Sequence, residues 1–199
     1  MVSLWQLFAV EFNDIIFING VLLKGSQSHV KPARTILSNL FKVLSTYFKR
    51  PLRKKEIEII INGKSIKTKT DKFGAFTVEV SANQLNSLNI IYKENDLMAN
   101  YPYQYYYSQP SSKIEAISDI DDTIYLSHSA SILKRINTLL FKRPKKRKAI
   151  VFSNELLINL NNEGVRINYL SKSESNLFHL IQSIIQFQNL ASGPLFLTP

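Results

Sequence analysis

The stretch KIEAISDIDDTIYLSHS, residues 113–129, decides how the chain is interpreted. It places three carboxylates, Asp119, Asp121 and Asp122, within four positions of one another in a chain of net charge +10. Carboxylates this close repel one another unless a metal ion or a cationic partner neutralises them. The acidic loop therefore indicates a binding or catalytic site.

The composition is that of a folded, basic protein. Of the 199 residues, 45% are hydrophobic, and 25 Lys and Arg stand against 15 Asp and Glu. This excess of positive charge favours anionic partners such as phosphate esters, acidic lipid or nucleic acid. Zero Cys excludes disulfides and thiolate metal sites. No apolar run reaches the ~18 residues that span a bilayer, and the first residues lack signal-peptide features. We therefore expect a cytoplasmic protein, either soluble or peripheral to membranes.

The first half is predicted to be a β-rich domain over residues 1–108. EIEIII (56–61) is rich in β-branched residues, NG (62–63) is a strong hairpin turn, and KSIKTKT (64–70) alternates back. Such short strands favour a sandwich or a small barrel. Apolar residues at helical spacing over 34–48 predict an inserted amphipathic helix. Further strands are predicted at 6–12, 15–23, 75–80 and 88–92.

A tyrosine-rich segment, NYPYQYYYSQPSSK (100–113), ends this half. Because Tyr favours half-buried sheet positions, we interpret its tyrosines as a last strand or an interdomain contact. An aromatic binding face is the alternative. Residues 109–113 are predicted to link the first domain to a second one over 114–199.

The second half alternates strands with helices. Strands are predicted at 114–118, at 165–170 and from 194 onward. Between the first two strands lie apolar residues at helical spacing over 132–140 and a helix over 150–162 that ends at Gly164. Between the second and third strands lie a loop, SKSES (171–175), and a helix over 176–187. This alternation predicts an α/β unit with a parallel sheet.

The position of the acidic loop suggests chemistry at phosphorus. Ligand sites of parallel sheets form beyond the carboxyl ends of the strands, and Asp119 directly follows the strand at 114–118. One carboxylate could attack phosphorus while the other protonates the leaving oxygen, with Mg²⁺ neutralising the crowded charge. A calcium loop would need Gly where Ile124 stands. From the loop alone, an Asx turn or a helix cap remains an alternative.

The wider sequence adds a family resemblance. ISDIDDTIYLSHS resembles the DxDxT signature of haloacid dehalogenase-like phosphohydrolases, and in particular the phosphatidate phosphatases of the actin-patch-protein type. INYLSKSESNLFHLI (167–181) and TKTDKFGAF (68–76) are further, weaker matches. The resemblance implies an incomplete haloacid-dehalogenase-like Rossmannoid α/β unit over 114–199, preceded by a β-rich sandwich-like domain.

The resemblance also implies roles for individual residues. Asp119 matches the nucleophile, and Asp121 matches the general acid and base; both would also hold Mg²⁺. Thr123 matches the hydroxyl residue that closes the motif, and Ser171 matches the phosphate-binding serine. The alternative for Ser171 or Ser173 is a plain helix cap.

One departure from the family bears on activity. Residues 175–199 contain no Asp, Glu, Lys or Arg, whereas the family has a later Lys and later Asp residues that complete its phosphate and Mg²⁺ sites. From this we expect a fragment or a decayed copy, with little or no turnover by the 199-residue chain alone.

Two basic runs, YFKRPLRKK (47–55) and LFKRPKKRK (140–148), suggest a second kind of partner. They could attract anionic lipid headgroups or nucleic acid, or be solvated loops. The leading prediction is an Mg²⁺-dependent phosphomonoester hydrolase acting on phosphatidate or another phosphomonoester, with an anionic membrane surface as a partner and without nucleic acid. The rival prediction is a catalytically inactive protein that binds anionic lipid or nucleic acid.

Overall fold

A computed structural model describes residues 1–25, 45–46, 48–81, 85–97, 103–125 and 150–198. These residues fall into two compact units, one within Met1–Ser28 and Lys49–Gln109 and the other within His29–Phe48 and Pro110–Thr198. Three residues of the predicted helix over 34–48 are described, and the rest of it lies outside the described residues. The segment with helical spacing at 132–140 and the basic run at 140–148 also lie outside them. In the described ranges, no helix is both long enough and apolar enough to cross a bilayer.

The first unit consists of two β-sheets. One sheet has the order β3-β2-β1-β9, with β6 pairing β2, and the other has the order β5-β4-β7-β8. The strands are β1 (Val2–Phe12), β2 (Ile15–Lys24), β3 (Arg50–Pro51), β4 (Glu56–Ile61), β5 (Lys64–Lys69), β6 (Ala75–Ser81), β7 (Leu88–Tyr92), β8 (Asn95–Asp96) and β9 (Tyr106–Tyr107).

Strand alternation explains the core of this unit. Ile57, Ile59 and Ile61 of β4 face inward, and they join side chains of the other sheet in one buried cluster. The hairpin between β4 and β5 turns at Asn62 and Gly63, which both have positive φ, as a two-residue hairpin turn requires. The predicted hairpin and the strand-rich character of this half are thus confirmed.

The tyrosine-rich segment closes the first sheet. β9 pairs parallel to β1, with Ala9 opposite Tyr106. The Tyr106 hydroxyl donates to Glu11 Oε2 at 2.8 Å, and the backbone N–H of Gln109 donates to the same oxygen at 3.2 Å. Burial raises the pKa of Tyr106, so the phenol keeps the proton that it donates. The prediction of a last strand here is confirmed.

The second unit has a three-stranded parallel sheet with the order β10-β11-β12. The predicted pairing of its first two strands is confirmed, with Glu115 opposite Arg166 and Asp119 opposite Leu170. Gly164 follows the first helix with φ +79°, as expected for the residue after a helix C-cap. The elements are β10 (Glu115–Asp119), α1 (Val151–Asn162), β11 (Arg166–Glu174), a 3-10 helix (Ser175–Leu177), α2 (Phe178–Phe187) and β12 (Leu195–Thr198).

The predicted loop at 171–175 is wrong, because β11 continues through Glu174. In this stretch Ser171 and Ser173 are buried, while Lys172 and Glu174 are exposed. Buried and exposed residues therefore alternate as in a strand, but the buried positions carry hydroxyl groups instead of apolar side chains. Hydrophobic periodicity cannot detect such a strand. The extension matters because both serines lie at the carboxyl end of the sheet.

At the amino ends of β10 and β11, an ion pair between a buried arginine and a half-buried glutamate joins the two strands. Arg166 donates through Nη2 to Glu115 Oε1 at 2.6 Å and through Nε to Glu115 Oε2 at 3.1 Å. Asn168 Nδ2 also donates to Glu115 Oε2 at 2.8 Å. This cluster satisfies the buried guanidinium and fixes the register of the two strands at the edge opposite the acidic loop.

Candidate active site

The acidic loop begins at the carboxyl end of β10. Asp119 is the last residue of the strand and is exposed, and the loop passes through Ile120, which is 1% exposed. The backbone N–H groups of Thr123 and Ile124 both donate to the carbonyl of Ile120, at 3.3 and 3.0 Å. The buried isoleucines at 120 and 124 thus anchor a tight turn, and the polar residues between them remain nearer the surface.

A second turn within the loop requires an unusual backbone conformation at Asp122. Its φ is +60°, a region that Asp and Asn tolerate better than most residues. Its N–H donates to the carbonyl of Tyr125 at 3.0 Å, and Asp121 and Tyr125 form a parallel bridge. Asp122 therefore has a conformational role, which explains one of the three crowded acids.

Asp121 lies in a cradle of three hydroxyl groups, from Tyr125, Ser171 and Ser173. Ser171 Oγ donates to Asp121 Oδ2 at 3.0 Å, and Ser173 Oγ donates to the same oxygen at 3.2 Å. The Tyr125 hydroxyl donates to Asp121 Oδ1 at 3.2 Å. Hydroxyl groups from the loop and from β11 thus hold both carboxylate oxygens in one orientation.

Ser171 and Ser173 also contact each other. The backbone N–H of Ser173 donates to Ser171 Oγ at 3.0 Å, and each side chain is 4% exposed. A serine hydroxyl has one proton, so Ser171 can donate to Asp121 or to a bound anion, but not fully to both. The same limit applies to the hydroxyls of Ser173 and Tyr125.

Asp119 is held more loosely. Thr123 Oγ1 donates to Asp119 Oδ2 at 3.4 Å, which is long for a hydrogen bond between oxygens. The side chain is exposed, unlike the half-buried Asp121. Asp119 is therefore the acid of the loop that a molecule in solution can reach.

The structure brings the four candidate residues of the sequence into two contacts, Asp121 with Ser171 and Asp119 with Thr123. The helix-cap alternative for Ser171 and Ser173 is wrong, because the following 3-10 helix has Glu174 at its N-cap and no side-chain cap. Sequence reasoning missed Tyr125 as a partner of Asp121. The only available signal was its spacing of four residues from Asp121 within a loop rich in turn formers.

Oxygen atoms from Asp119 and Asp121 form the donor set that could hold a metal ion. Magnesium prefers oxygen ligands and keeps several waters, so the exposed Asp119 carboxylate and the backbone carbonyl of Asp121 suit it. In the part of the chain that the structure describes, no group of three or more His, Cys, Asp or Glu gathers around a common point. Asp119 and Asp121 are therefore the residues that could hold a magnesium ion, and most of its ligands would then be water.

The second unit is thus an α/β structure with polar groups at the carboxyl edge of a parallel sheet, the place where proteins of this class bind ligands. Among protein families, residues 114–199 match the model of the phosphatidate phosphatase APP1 catalytic domain. This match confirms the resemblance predicted from the acidic loop. No curated protein and no solved structure matches the chain.

Proposed function

We propose that the second unit is a haloacid-dehalogenase-like phosphohydrolase that cleaves phosphomonoesters through an aspartyl-phosphate on Asp119. The observation that supports this most strongly is the pairing of an exposed Asp119 with a firmly oriented Asp121 at the carboxyl end of β10. A nucleophile must reach the substrate, while an acid–base group must keep its orientation. The two carboxylates meet these different requirements.

In the first step, an Asp119 carboxylate oxygen attacks phosphorus and the bond from phosphorus to the ester oxygen breaks. The proton needed by the leaving alkoxide comes from Asp121, which must enter the step protonated. The products are an alcohol and an acyl phosphate on Asp119. Thr123 supports Asp119 in this step through its hydrogen bond to Oδ2.

In the second step, water attacks the phosphorus of the acyl phosphate. Asp121 accepts a proton from this water, the bond from phosphorus to the Asp119 oxygen breaks, and inorganic phosphate leaves. Asp119 returns as a carboxylate and Asp121 returns to its protonated form. The hydroxyls of Tyr125 and Ser173 keep Asp121 in place through both transfers.

Ser171 has a separate role in binding the phosphate group. We infer that its hydroxyl turns from Asp121 to a phosphate oxygen when substrate binds, since it has one proton to donate. Ser173 and Tyr125 keep their bonds to Asp121 during this exchange. Binding of phosphate therefore loosens the acid–base group by one hydrogen bond without releasing it.

Magnesium, held by Asp119 and by the backbone carbonyl of Asp121, would supply charge neutralisation for the crowded carboxylates and the phosphate. The net charge of +10 also favours an anionic substrate. The family match makes phosphatidate the first substrate to test.

The test is phosphate release from phosphatidate in mixed micelles and from a soluble phosphomonoester, each with Mg²⁺ and with EDTA. We expect slow turnover by the 199-residue chain, because an ion with few protein ligands keeps most of its waters. Asp119→Asn should reduce phosphate release to background. Asp122→Asn is the matched control: it removes a neighbouring acid, tolerates the positive φ and should retain most of the activity.

Two outcomes would contradict the proposal. Phosphate release that survives Asp119→Asn would exclude this residue as the nucleophile. Equal losses in Asp119→Asn and Asp122→Asn would show that the loop requires its total charge and not one attacking carboxylate.

A further inference from the structure

The first unit carries a cluster of exposed cations that takes no part in the chemistry proposed above. We call it the cationic end. It lies where β2 ends, where β3 leads into β4, and at the turn before β6. Its six exposed side chains are Lys24, Arg50, Arg53, Lys54, Lys55 and Lys72.

Backbone pairing brings these cations together from three separate segments. Lys24 and Arg50 are direct partners in the antiparallel pair of β2 and β3. The backbone N–H of Lys54 donates to the carbonyl of Asp71 at 3.2 Å, which joins the 53–55 loop to the turn that carries Lys72. The clustering is therefore a property of the fold, and only part of it is visible in the basic run at 47–55.

The two loops are held firmly by Thr70, which is 2% exposed. Its hydroxyl accepts from the backbone N–H of Lys55 at 3.0 Å and donates to the carbonyl of Leu52. Gly74 allows the close approach of the turn to β2, because a Cβ there would lie 2.4 Å from the carbonyl oxygen of Leu22. The cations thus project from a preorganised surface, which lowers the ordering cost of binding.

The positive charge of this surface is not compensated by ion pairs in the described ranges. The ion pairs recorded there are Lys69 with Glu56 and Arg166 with Glu115, and neither involves the six cations. The nearby Asp71 carboxylate instead accepts from the backbone N–H groups of Phe73 and Ala75, at 2.7 and 2.9 Å. Asp71 therefore serves to close its own turn.

An apolar ring stands at the tip of the same turn. Phe73 is 41% exposed, and the Lys72 ammonium lies 4.9 Å from the centre of its ring. A ring flanked by cations matches the interfacial region of a membrane, where acyl chains begin beneath anionic headgroups. Single-stranded nucleic acid is bound instead by a series of aromatic platforms along a groove, whereas the turn that carries Lys72 presents a single ring, that of Phe73.

We propose that the cationic end docks the protein on an anionic lipid surface, with Phe73 entering the headgroup region. The cations supply attraction to the lipid charge, and the ring supplies a contact that salt does not screen. This surface belongs to the first unit, and its action does not depend on the phosphatase chemistry of the second.

The test is sedimentation of the full chain with vesicles of phosphatidylcholine, alone or with about one third phosphatidylserine. These lipids are not phosphomonoesters, so failure of this proposal and failure of the proposed hydrolysis are distinguishable. Binding should require phosphatidylserine and should weaken as salt is raised, since exposed charges are screened over ~10 Å at about 0.1 M. Arg53→Gln with Lys55→Gln should weaken binding by about twenty-five-fold, at roughly fivefold per cation.

The matched control is Lys64→Gln with Lys67→Gln, which removes two exposed cations from β5. It should change binding by less than about threefold, because these side chains lie outside the cationic end. Phe73→Ser should weaken binding by about fivefold, and that loss should persist at high salt. Circular dichroism should give the same melting temperature for all variants.

Three results would overturn the proposal. One is equal binding to neutral and anionic vesicles, and another is an equal loss in the two double variants. The third is salt-sensitive binding to RNA or DNA that exceeds binding to anionic vesicles, since this would identify nucleic acid as the partner of the cationic end.

Discussion

At the scale of single residues, the two acids of the candidate site are held very differently. Asp121 accepts hydrogen bonds from three hydroxyls on both of its oxygens, whereas Asp119 is exposed and has one long contact with Thr123. A half-buried carboxylate with several hydrogen-bond donors around it has a precise position. The predictions at this scale separate the partners of Asp121 by function.

Ser171→Ala and Ser173→Ala should differ in the kinetic constant that they change. Both remove a hydroxyl from Asp121 Oδ2, but only Ser171 is proposed to turn toward phosphate. We expect Ser171→Ala to raise the KM and the inhibition constant of inorganic phosphate about tenfold, equal to ~1.4 kcal/mol. Ser173→Ala should lower kcat and leave the inhibition constant unchanged. Equal effects of the two substitutions on phosphate inhibition would contradict the proposed exchange of partners.

Tyr125→Phe tests the third partner of Asp121. Removing its hydroxyl leaves Asp121 Oδ1 without this donor, which should cost ~1–2 kcal/mol of stability and lower kcat about threefold or more. Tyr169→Phe is the matched control, because its hydroxyl donates to the carbonyl of Ala191 at 2.8 Å and has no proposed part in the chemistry. Urea unfolding and steady-state kinetics should show a stability loss in both variants and a loss of kcat in Tyr125→Phe alone. A loss of kcat in both would mean that the effect is merely structural.

At the scale of secondary-structure elements, the partly buried ion pair between β10 and β11 should contribute to the pairing of the strands. Arg166→Met leaves the Glu115 carboxylate without its bidentate partner and should cost ~3 kcal/mol or more in the free energy of unfolding. Combining Arg166→Met with Glu115→Leu should recover part of this loss, because no unpaired charge then remains. The measurement is a double-mutant cycle by urea unfolding. Additive losses would contradict a direct coupling of these two side chains.

Elements with a regular apolar period could be predicted closely from the sequence. β4 and β7 have the predicted bounds, and α1 begins one residue from the predicted start. In β4 the buried isoleucines alternate with half-exposed or exposed positions, and the Asn-Gly turn fixes the register of the hairpin. These signals are local, so one sequence is sufficient to find them.

The extension of β11 and the Asp121 cradle could be predicted only in part. The inward positions of the extension carry Ser171 and Ser173, whose burial is compensated by a carboxylate from another segment and not by apolar contact. These hydrogen bonds depend on the register between β10 and β11, and the hydropathy pattern of the sequence does not specify that register. Through resemblance, the DIDDT loop indicated Asp119, Asp121 and Thr123, and the segment 167–181 indicated Ser171. Tyr125 had no signal beyond its spacing.

At the scale of the whole molecule, the chain combines a β-rich unit that carries the cationic end with an α/β unit that carries the acidic loop. The proposed chemistry requires a small divalent ion in the acidic loop. We expect phosphate release to cease with EDTA, to return with Mg²⁺ and to remain low with Ca²⁺, because calcium prefers more ligands at longer distances. Full activity in EDTA would exclude the metal-assisted mechanism.

The central claim is that Asp119 becomes phosphorylated, and acid quenching tests it most directly. The chain is mixed with Mg²⁺ and a phosphomonoester, quenched in acid within one turnover, and digested for mass spectrometry, with hydroxylamine used to cleave any acyl phosphate. We predict one phosphoryl group on the peptide that contains Asp119, sensitive to hydroxylamine, absent from Asp119→Asn and retained in Asp122→Asn. A phosphoryl group at another residue, or an equal amount of it in Asp119→Asn, would contradict the account.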